Sequence, residues 1–143
     1  LTMSKKQKVL FVCTGNSCRS QIAEGLLQDM AGDRFEVFSC GTHPSRVHPN
    51  AIAVMEEWGI DISNHTSDAT DEYVDKGMDI VITVCDHAKQ ICPVFPGVLQ
   101  RIHWSIDDPF RGWDSSQAHL ENFRKTRKEI KNRILAFLNI SDF

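Results

Sequence analysis

The sequence predicts an α/β fold of three layers, in which a four-stranded parallel sheet is flanked by helices on both faces. Two observations lead to this prediction. Short runs rich in valine, isoleucine and phenylalanine alternate along the chain with longer runs of helical apolar spacing. The first and third short runs are almost continuously apolar, as strands buried on both faces are. Such alternation builds βαβ units, whose consecutive strands lie parallel with the helices packed over them.

The first half of the chain supplies two strands and two helices. The strands are predicted at 8–12 and 34–39, and the helix between them at 20–30. A second helix is predicted at 49–58, because a proline begins it and a glycine follows it, as is usual at helix ends. The first helix has five apolar residues on one face, namely Ile22, Ala23, Leu26, Leu27 and Met30.

The second half supplies strands at 79–84 and 100–104, a short helix at 71–76 and a long helix at 115–138. The long helix carries apolar residues at helical spacing, namely Leu120, Phe123, Ile130, Ile134, Phe137 and Leu138. With 143 residues, the chain is predicted to form one domain over 1–143.

Composition limits the classes of function. The net charge of −3 gives no reason to expect nucleic-acid binding, and no apolar run approaches the length of a membrane span. No signal peptide opens the chain, so we expect a cytoplasmic protein, and we expect a monomer. The histidines are scattered without the spacing of metal ligands, so no structural or catalytic transition metal is predicted.

The cysteines are odd in number and the chain carries no export signal, so a structural disulfide framework is not expected. Reactive thiols and buried packing residues are the two interpretations that remain. The five cysteines are Cys13, Cys18, Cys40, Cys85 and Cys92.

The most informative segment joins the first strand to the first helix. Five residues separate Cys13, which follows the strand, from Arg19, and Ser20 comes next. Amides of a tight turn, a helix N-terminus and an arginine bind a tetrahedral oxyanion and favour a thiolate, so Cys13 is predicted to be an ionised nucleophile near neutral pH. The alternative is a small buried cysteine at a strand end. The predicted oxyanion ligands are Thr14, Gly15, Asn16, Ser17, Cys18 and Arg19.

Further reactive groups follow two other strands. Cys85 comes directly after the third strand, and Asp107 and Asp108 come after the fourth, before a proline. Active sites of parallel sheets lie at the carboxyl ends of the strands, so these groups are expected near Cys13. The alternatives are an ordinary Asp-Pro turn and a buried packing cysteine.

With these residues the chain resembles the low-molecular-weight protein tyrosine phosphatases, and it resembles more closely the thioredoxin-coupled arsenate reductases built on the same fold. The resemblance runs from about residue 8 to residue 138. It rests on the spacing of Cys13, Arg19 and Ser20 and on the Asp108–Pro109 pair, which match the anion loop and the acid that both groups share.

Several residues favour the reductases over the phosphatases. Gln21 stands where phosphatases usually have proline, and six residues separate Cys85 from Cys92, a pair that phosphatases do not need. Phe110 and Arg111 follow the Asp-Pro pair where phosphatases commonly have two tyrosines.

The resemblance implies a first chemical step at the anion loop. Cys13 attacks arsenic while the loop amides and Arg19 hold the oxygens, and Ser20 donates a hydrogen bond to the thiolate. Asp108, which matches the family's acid where Asp107 does not, protonates the departing oxygen.

The resemblance also implies a route for two electrons. Cys85 attacks the sulfur of Cys13, which expels arsenite and leaves a Cys13–Cys85 disulfide. Cys92 then attacks Cys85, and thioredoxin reduces the Cys85–Cys92 disulfide that results. Whether another thiol carrier replaces thioredoxin is left open.

The redox pair makes a conformational prediction. Across a regular helix, the Cα atoms of Cys85 and Cys92 would lie roughly 10 Å apart, whereas a disulfide tolerates only about 4.4–6.8 Å. Pro93 and Pro96 keep any helix from extending past Cys92. The segment 85–97 is therefore predicted to be mobile and to change conformation between redox states. The alternative is that both cysteines only pack.

Some arsenate reductases of this type bind a monovalent cation beside the anion loop, which makes potassium a candidate ligand here; no other cofactor is expected. All the matching positions bear oxygen, as a hard cation requires, although each also has an ordinary role in a turn or loop. They are Asn16, Glu24, Ser39, Thr66 and Asp68.

Arsenate reduction with a thioredoxin partner is thus the predicted function. A tyrosine phosphatase with incidental Cys85 and Cys92 is the first alternative, and weak phosphatase activity is expected in either case because the loop is shared. A non-catalytic module that binds oxyanions or senses redox state is the second alternative.

Overall fold

The computed structural model describes residues 6–139. Strands and helices alternate along them, apart from one 3-10 turn at Thr70–Glu72. The elements are β1 (Gln7–Cys13), α1 (Arg19–Ala31), β2 (Phe35–Gly41), α2 (Pro49–Glu56), β3 (Ile80–Thr83), α3 (Asp86–Ile91), β4 (Gln100–His103) and α4 (Gln117–Leu138).

The four strands form one parallel sheet in the order β2-β1-β3-β4. In the central strand β1, Val9 pairs with Val37 of β2 and with Ile80 of β3. Residues 9–12 of β1 are fully buried, as the continuous apolar run predicts. The predicted α/β class and four-stranded parallel sheet are confirmed.

Helices cover both faces of this sheet. On one face, Phe137 of α4 contacts Phe35 and Trp104, with ring centroids 5.8 and 6.4 Å apart, and α1, α2 and α4 pack against one another. On the other face, Phe38 packs on Tyr73 at 5.7 Å, and α3 contacts β1 and β3. No helix among residues 6–139 is long and apolar enough to cross a membrane.

The structure differs from the predicted helices at 49–58 and 71–76, and the long helix predicted at 115–138 begins at Gln117. The helix predicted at 49–58 ends at Glu56, because the amides of Trp58 and Gly59 donate only three residues back and Gly59 has φ +75°. The helix predicted at 71–76 is wrong, since the amide of Tyr73 also donates three residues back, to Thr70, in a single 3-10 turn.

Helix α3 was not among the predicted helices. Its six residues are too few to show an apolar period, and only Ala88 is buried. The helix ends at Ile91 and Cys92 has extended backbone angles, so the expectation that no helix extends past Cys92 is confirmed.

Candidate active site

The anion loop, residues 13–19, lies at the carboxyl end of β1 and is held by the segment that follows β2. Four amides of residues 42–48 donate to carbonyls of the loop over 2.8–3.1 Å. These bonds hold the carbonyls on the outside, so the loop's N–H groups are available on the inside, where the amide of Asn16 lies 3.2 Å from the sulfur of Cys13. The four bonds run from Thr42 to Cys13, His43 to Thr14, Ser45 to Gly15 and His48 to Ser17.

Gly41, at the end of β2, allows the loop to approach this closely. A Cβ at Gly41 would lie 2.5 Å from the carbonyl oxygen of Thr14 and 2.7 Å from the nitrogen of Asn16. Asn16 adopts φ +45°, a left-handed conformation that asparagine tolerates better than most residues. A substitution at Gly41 would therefore displace the loop that carries the candidate nucleophile.

Opposing influences act on the pKa of the Cys13 thiol. The residue is only 3% exposed. Burial has the largest effect and raises its pKa, while hydrogen bonding to Ser20 and the charge of Arg19 act in the opposite direction. Burial therefore opposes the predicted ionisation of Cys13 near neutral pH, while Ser20 and Arg19 favour it, and the ionisation stays a prediction. Desolvation depends on the folded structure, so the sequence alone does not display it.

The hydroxyl of Ser20 lies where the sequence predicts it, with Oγ 2.8 Å from Sγ of Cys13. The side-chain amide of Asn16 donates to the same Oγ over 2.7 Å and to Oγ of Ser39 over 2.9 Å. Because Ser20 accepts from Asn16, its own proton is free to donate to the sulfur when the sulfur is negative. Asn16 thus shapes the loop with its side chain and faces Cys13 with its backbone.

Arg19 joins the anion loop to the loop that follows β4. Its guanidinium donates to the carbonyl of Ile106 over 2.9 Å and lies 3.6 Å from the carboxylate of Asp108. The Arg19 side chain is 12% exposed and that of Asp108 is 51% exposed. The candidate acid therefore lies at the mouth of the site, within reach of both solvent and a bound oxyanion.

These residues surround a cavity of about 220 Å³. Of the two acids after β4, Asp108 lines it and Asp107 does not, as the choice of Asp108 requires. Among the predicted oxyanion ligands, only Asn16 has no atom in the lining. The lining residues are Cys13, Thr14, Gly15, Ser17, Cys18, Arg19, Ser45, Asp108, Phe110 and Trp113.

Phe110 and Trp113 form one side of this cavity, here called the aromatic wall, which the sequence analysis did not predict. Trp113 stacks on His48 at 4.7 Å and 12°, and the guanidinium of Arg46 lies 4.0 Å from the Trp113 ring centroid. Phe110 packs edge-on against Trp113 at 5.2 Å. The sequence did offer a sign of this wall, because both aromatic residues lie within five positions of the candidate acid Asp108.

The second candidate thiol lies against the anion loop. The sulfur of Cys85 is 3.3 Å from Oγ1 of Thr14, and it accepts a hydrogen bond from the amide of Ala88 over 3.4 Å as the N-cap of α3. Cys92 is half-buried at the other end of α3, where burial raises its pKa and Arg101 opposes that effect. The predicted change of conformation over 85–97 stays a prediction.

The remaining cysteines are buried thiols. Burial raises the pKa of Cys18 to about 12, with Ser17 and Arg19 acting in the opposite direction. Burial also raises the pKa of Cys40, which is fully buried on β2. The predicted route for two electrons uses neither thiol.

The five candidate cation ligands lie together behind the loop. Ser39 donates to Glu24 over 2.6 Å, Thr66 donates to Asp68 over 2.9 Å, and Oδ1 of Asn16 accepts from the amide of Asp68 over 2.8 Å. Burial raises the pKa of Glu24 to about 7, and the charge of Asp68 adds to the effect. A buried carboxylate whose charge is disfavoured by a neighbouring carboxylate fits a cation between the two. No group of three histidine, cysteine or acidic residues among 6–139 is placed to hold a metal ion.

The fold and site define a class of α/β proteins in which a cysteine, in a loop between the first strand and the first helix, lines a cavity at the carboxyl edge of a parallel sheet. A sequence model of the family described as low molecular weight phosphotyrosine protein phosphatase matches residues 8–141. The chain belongs to this family, and the resemblance seen in the sequence is confirmed.

Its relatives include several arsenate reductases. The arsenate reductase of Halalkalibacterium halodurans is 43% identical over 132 residues, which cover 92% of this chain and 95% of the relative. A solved arsenate reductase in a phosphate-binding state is 40% identical with a TM-score of 0.79, over 93% of this chain and 97% of that one. The thioredoxin-dependent arsenate reductase of Corynebacterium glutamicum is 30% identical with a TM-score of 0.70, over 98% of this chain and 65% of that one.

Proposed function

We propose that this protein reduces arsenate to arsenite through a relay of Cys13, Cys85 and Cys92 that thioredoxin recycles. The observation that carries the proposal is the 3.3 Å contact between Thr14 of the anion loop and the sulfur of Cys85. This contact brings a second thiol to the edge of the loop that holds the nucleophile, which hydrolysis of a phosphate ester would not require. The arsenate reductases among its relatives support the same reaction.

In the first step, the sulfur of Cys13 attacks arsenic and one oxygen leaves as water. The loop amides and the guanidinium of Arg19 hold the other oxygens, which stabilises the negative charge of the transition state. Asp108 delivers a proton to the departing oxygen. The thiol proton of Cys13 balances the step, so that one arsenate and one thiol give one thioester of arsenic and one water.

In the second step, Cys85 attacks the sulfur of Cys13. A sulfur–sulfur bond forms, the sulfur–arsenic bond breaks, and its electron pair stays on arsenic, which leaves as arsenite. Two thiols have then lost two electrons and arsenic has gained them. Cys92 next attacks Cys85, which releases Cys13 as a free thiol and leaves the Cys85–Cys92 disulfide.

The surroundings of Cys92 suit a protein reductant. Three apolar side chains near it in the chain are exposed, Ile91 by 46%, Val94 by 80% and Leu99 by 73%. Exposed apolar surface of this kind is a feature of protein interfaces. We propose that thioredoxin covers these residues when it reduces the disulfide, and that the protein works in the cytoplasm, where thiols are kept reduced.

Mapping the disulfides tests the relay. Reduced protein given one equivalent of arsenate, then alkylated and digested, should show Cys85 joined to Cys92 by mass spectrometry, with Cys13 alkylated. A Cys13–Cys85 disulfide as the end product would show that Cys92 takes no part. Arsenate bound without any disulfide or arsenite would instead favour a module that only binds oxyanions.

We also propose that potassium binds between Glu24 and Asp68, where Asn16, Ser39 and Thr66 supply further oxygens. The raised pKa of Glu24 means that, without a cation, its carboxylate costs stability as the pH rises from about 4.5 through about 7. The cost is about 3 kcal/mol in the charged form. A bound cation would offset this cost and hold the loop through Asn16.

Thermal unfolding with and without potassium checks this site. Relative to the Glu24→Gln variant, the melting temperature of the wild type should fall between pH 5 and pH 8 in a potassium-free buffer of tetramethylammonium chloride. Potassium should restore it at pH 8, have little effect at pH 5, and leave the variant unchanged. Equal responses of the two proteins to potassium would contradict the site.

A phosphatase remains the second candidate function, and the aromatic wall favours it. The cavity of about 220 Å³ exceeds the space of a tetrahedral oxyanion, since five heavy atoms displace only a few waters of about 30 Å³ each. Phe110 and Trp113 could contact the ring of an aryl phosphate. Such hydrolysis uses the same loop and needs neither Cys85 nor Cys92.

A further inference from the structure

The imidazole of His103 joins β4 to the first residue of α3. Its Nε2 donates to the carboxylate of Asp86 over 2.8 Å, and its Nδ1 lies 2.7 Å from the hydroxyl of Thr83 on β3. The side chain of His103 is 20% exposed and that of Asp86 is 72% exposed. Since the carboxylate can only accept, Nε2 carries the proton that makes this contact, here called the Asp86–His103 bridge.

The two ends of the bridge differ in how firmly they are held. His103 belongs to the sheet, where it pairs with Thr83 as the last residue of β4. Asp86 opens a helix of six residues in which only Ala88 is buried. A helix this short does not persist by its own hydrogen bonds, so contacts to its surroundings decide whether it forms.

The bridge also lies next to the reactive sulfur. Asp86 follows Cys85 directly, and the sulfur of Cys85 caps the same first turn by accepting from Ala88. His103 and then Ser105 hold the pKa of Asp86 below its ordinary range, so the bridge joins a charged carboxylate to β4 at neutral pH.

We propose that the Asp86–His103 bridge positions α3 in the dithiol conformation and so controls how readily Cys85 and Cys92 join. This inference rests on the proposed relay. The helix must unwind for the disulfide to form, because the rise of a regular helix would separate the Cα atoms of Cys85 and Cys92 by roughly 10 Å and a disulfide requires less than about 7 Å. Asp86 then loses the helical geometry that directs it at His103. The bridge therefore favours the dithiol over the disulfide.

Removing the bridge should therefore promote the redox reaction of Cys85 with Cys92, whereas removing an ordinary stabilising contact would impair function. Breaking the bridge should make the disulfide form faster and make it harder to reduce. A hydrogen bond to an exposed carboxylate contributes a modest free energy, so we expect the equilibrium between dithiol and disulfide to shift about two- to five-fold towards the disulfide. For a two-electron couple this lowers the reduction potential by about 9 to 21 mV.

The test uses the full chain with Cys13→Ser, so that Cys85 and Cys92 react without Cys13, while Cys18 and Cys40 stay buried. Protein is equilibrated with mixtures of reduced and oxidised dithiothreitol, whose disulfide accepts the two electrons and two protons. Asp86→Ala and His103→Ala should each lower the potential, and the double variant should lower it no further than the larger of the two. His103→Gln, which keeps an N–H donor, should restore part of the shift.

Gln90→Ala is the matched control, because Gln90 is exposed on the same helix and its side chain is outside the bridge. It should leave the potential unchanged. Potentials of Asp86→Ala and His103→Ala equal to the parent, or less negative than it, would overturn the bridge. Should the parent form no Cys85–Cys92 disulfide at all, the proposed relay itself would fail.

A second measurement separates positioning from damage to the fold. With Cys13 present, Asp86→Ala and His103→Ala should hydrolyse p-nitrophenyl phosphate at the parent rate, because the anion loop is untouched. In both variants, thioredoxin should reduce the Cys85–Cys92 disulfide more slowly than in the parent. A parallel loss of both activities would mean that the bridge only maintains the fold.

Discussion

The Cys92→Ser variant is expected to release about one arsenite per protein molecule and then stop. Cys13 and Cys85 suffice to reduce one arsenate, but without Cys92 the disulfide stays between them beside the buried anion loop. Thioredoxin would have to reach that disulfide past Thr14, which contacts Cys85 at 3.3 Å. Counting arsenite against protein in the presence of excess thioredoxin and its reductase measures the stop.

The same variant should hydrolyse p-nitrophenyl phosphate within about two-fold of the wild type, since the loop and acid are intact. Cys40→Ala is the matched control, because Cys40 is also a cysteine outside the cavity and no step uses it; many turnovers should remain. Sustained arsenate reduction by Cys92→Ser would contradict the three-thiol relay. It would mean that the reductant attacks the Cys13–Cys85 disulfide directly.

Asp108→Asn should lower the turnover of arsenate by about 10²- to 10⁴-fold, the range for the loss of a general acid. The amide keeps the size of the side chain but has no acidic proton to give to the departing oxygen. Its partner Arg19 remains bonded to Ile106, so binding of the oxyanion should weaken far less than turnover. Steady-state kinetics with arsenate measure the two effects separately.

Asp107→Asn is the control for this variant, since Asp107 is also a carboxylate after β4 and does not line the cavity. It should retain nearly full activity. Hydrolysis of aryl phosphates gives a further check, because Asp108→Asn should lose more activity on phenyl phosphate than on p-nitrophenyl phosphate, whose leaving group needs less help. Equal losses on the two esters would mean that Asp108 only binds or positions the substrate.

The elements that build the anion loop could be predicted from short stretches of sequence. The apolar run of β1, the five residues between Cys13 and Arg19 and the amphipathic face of α1 are each local patterns. Parallel topology then brings the carboxyl ends of β1, β3 and β4 to one edge, so Cys85 and Asp108 were expected near Cys13. The boundaries at 49–58 and 71–76 were missed because a turn closed by a hydrogen bond between residues three apart has the same apolar spacing as a helix.

Tertiary structure alone decided the burial and the hydrogen-bond partners of the site residues. The pKa of Cys13 depends on its burial in the folded protein. The orientation of the loop carbonyls depends on hydrogen bonds from amides of residues 42–48, which no sequence motif marks. The aromatic wall and the Asp86–His103 bridge likewise join residues from separate elements. Sequence by itself determined the loop that begins at Cys13 and the fold, because these follow from local spacing. Burial and side-chain partners required the folded chain, since each is set by residues far apart in sequence.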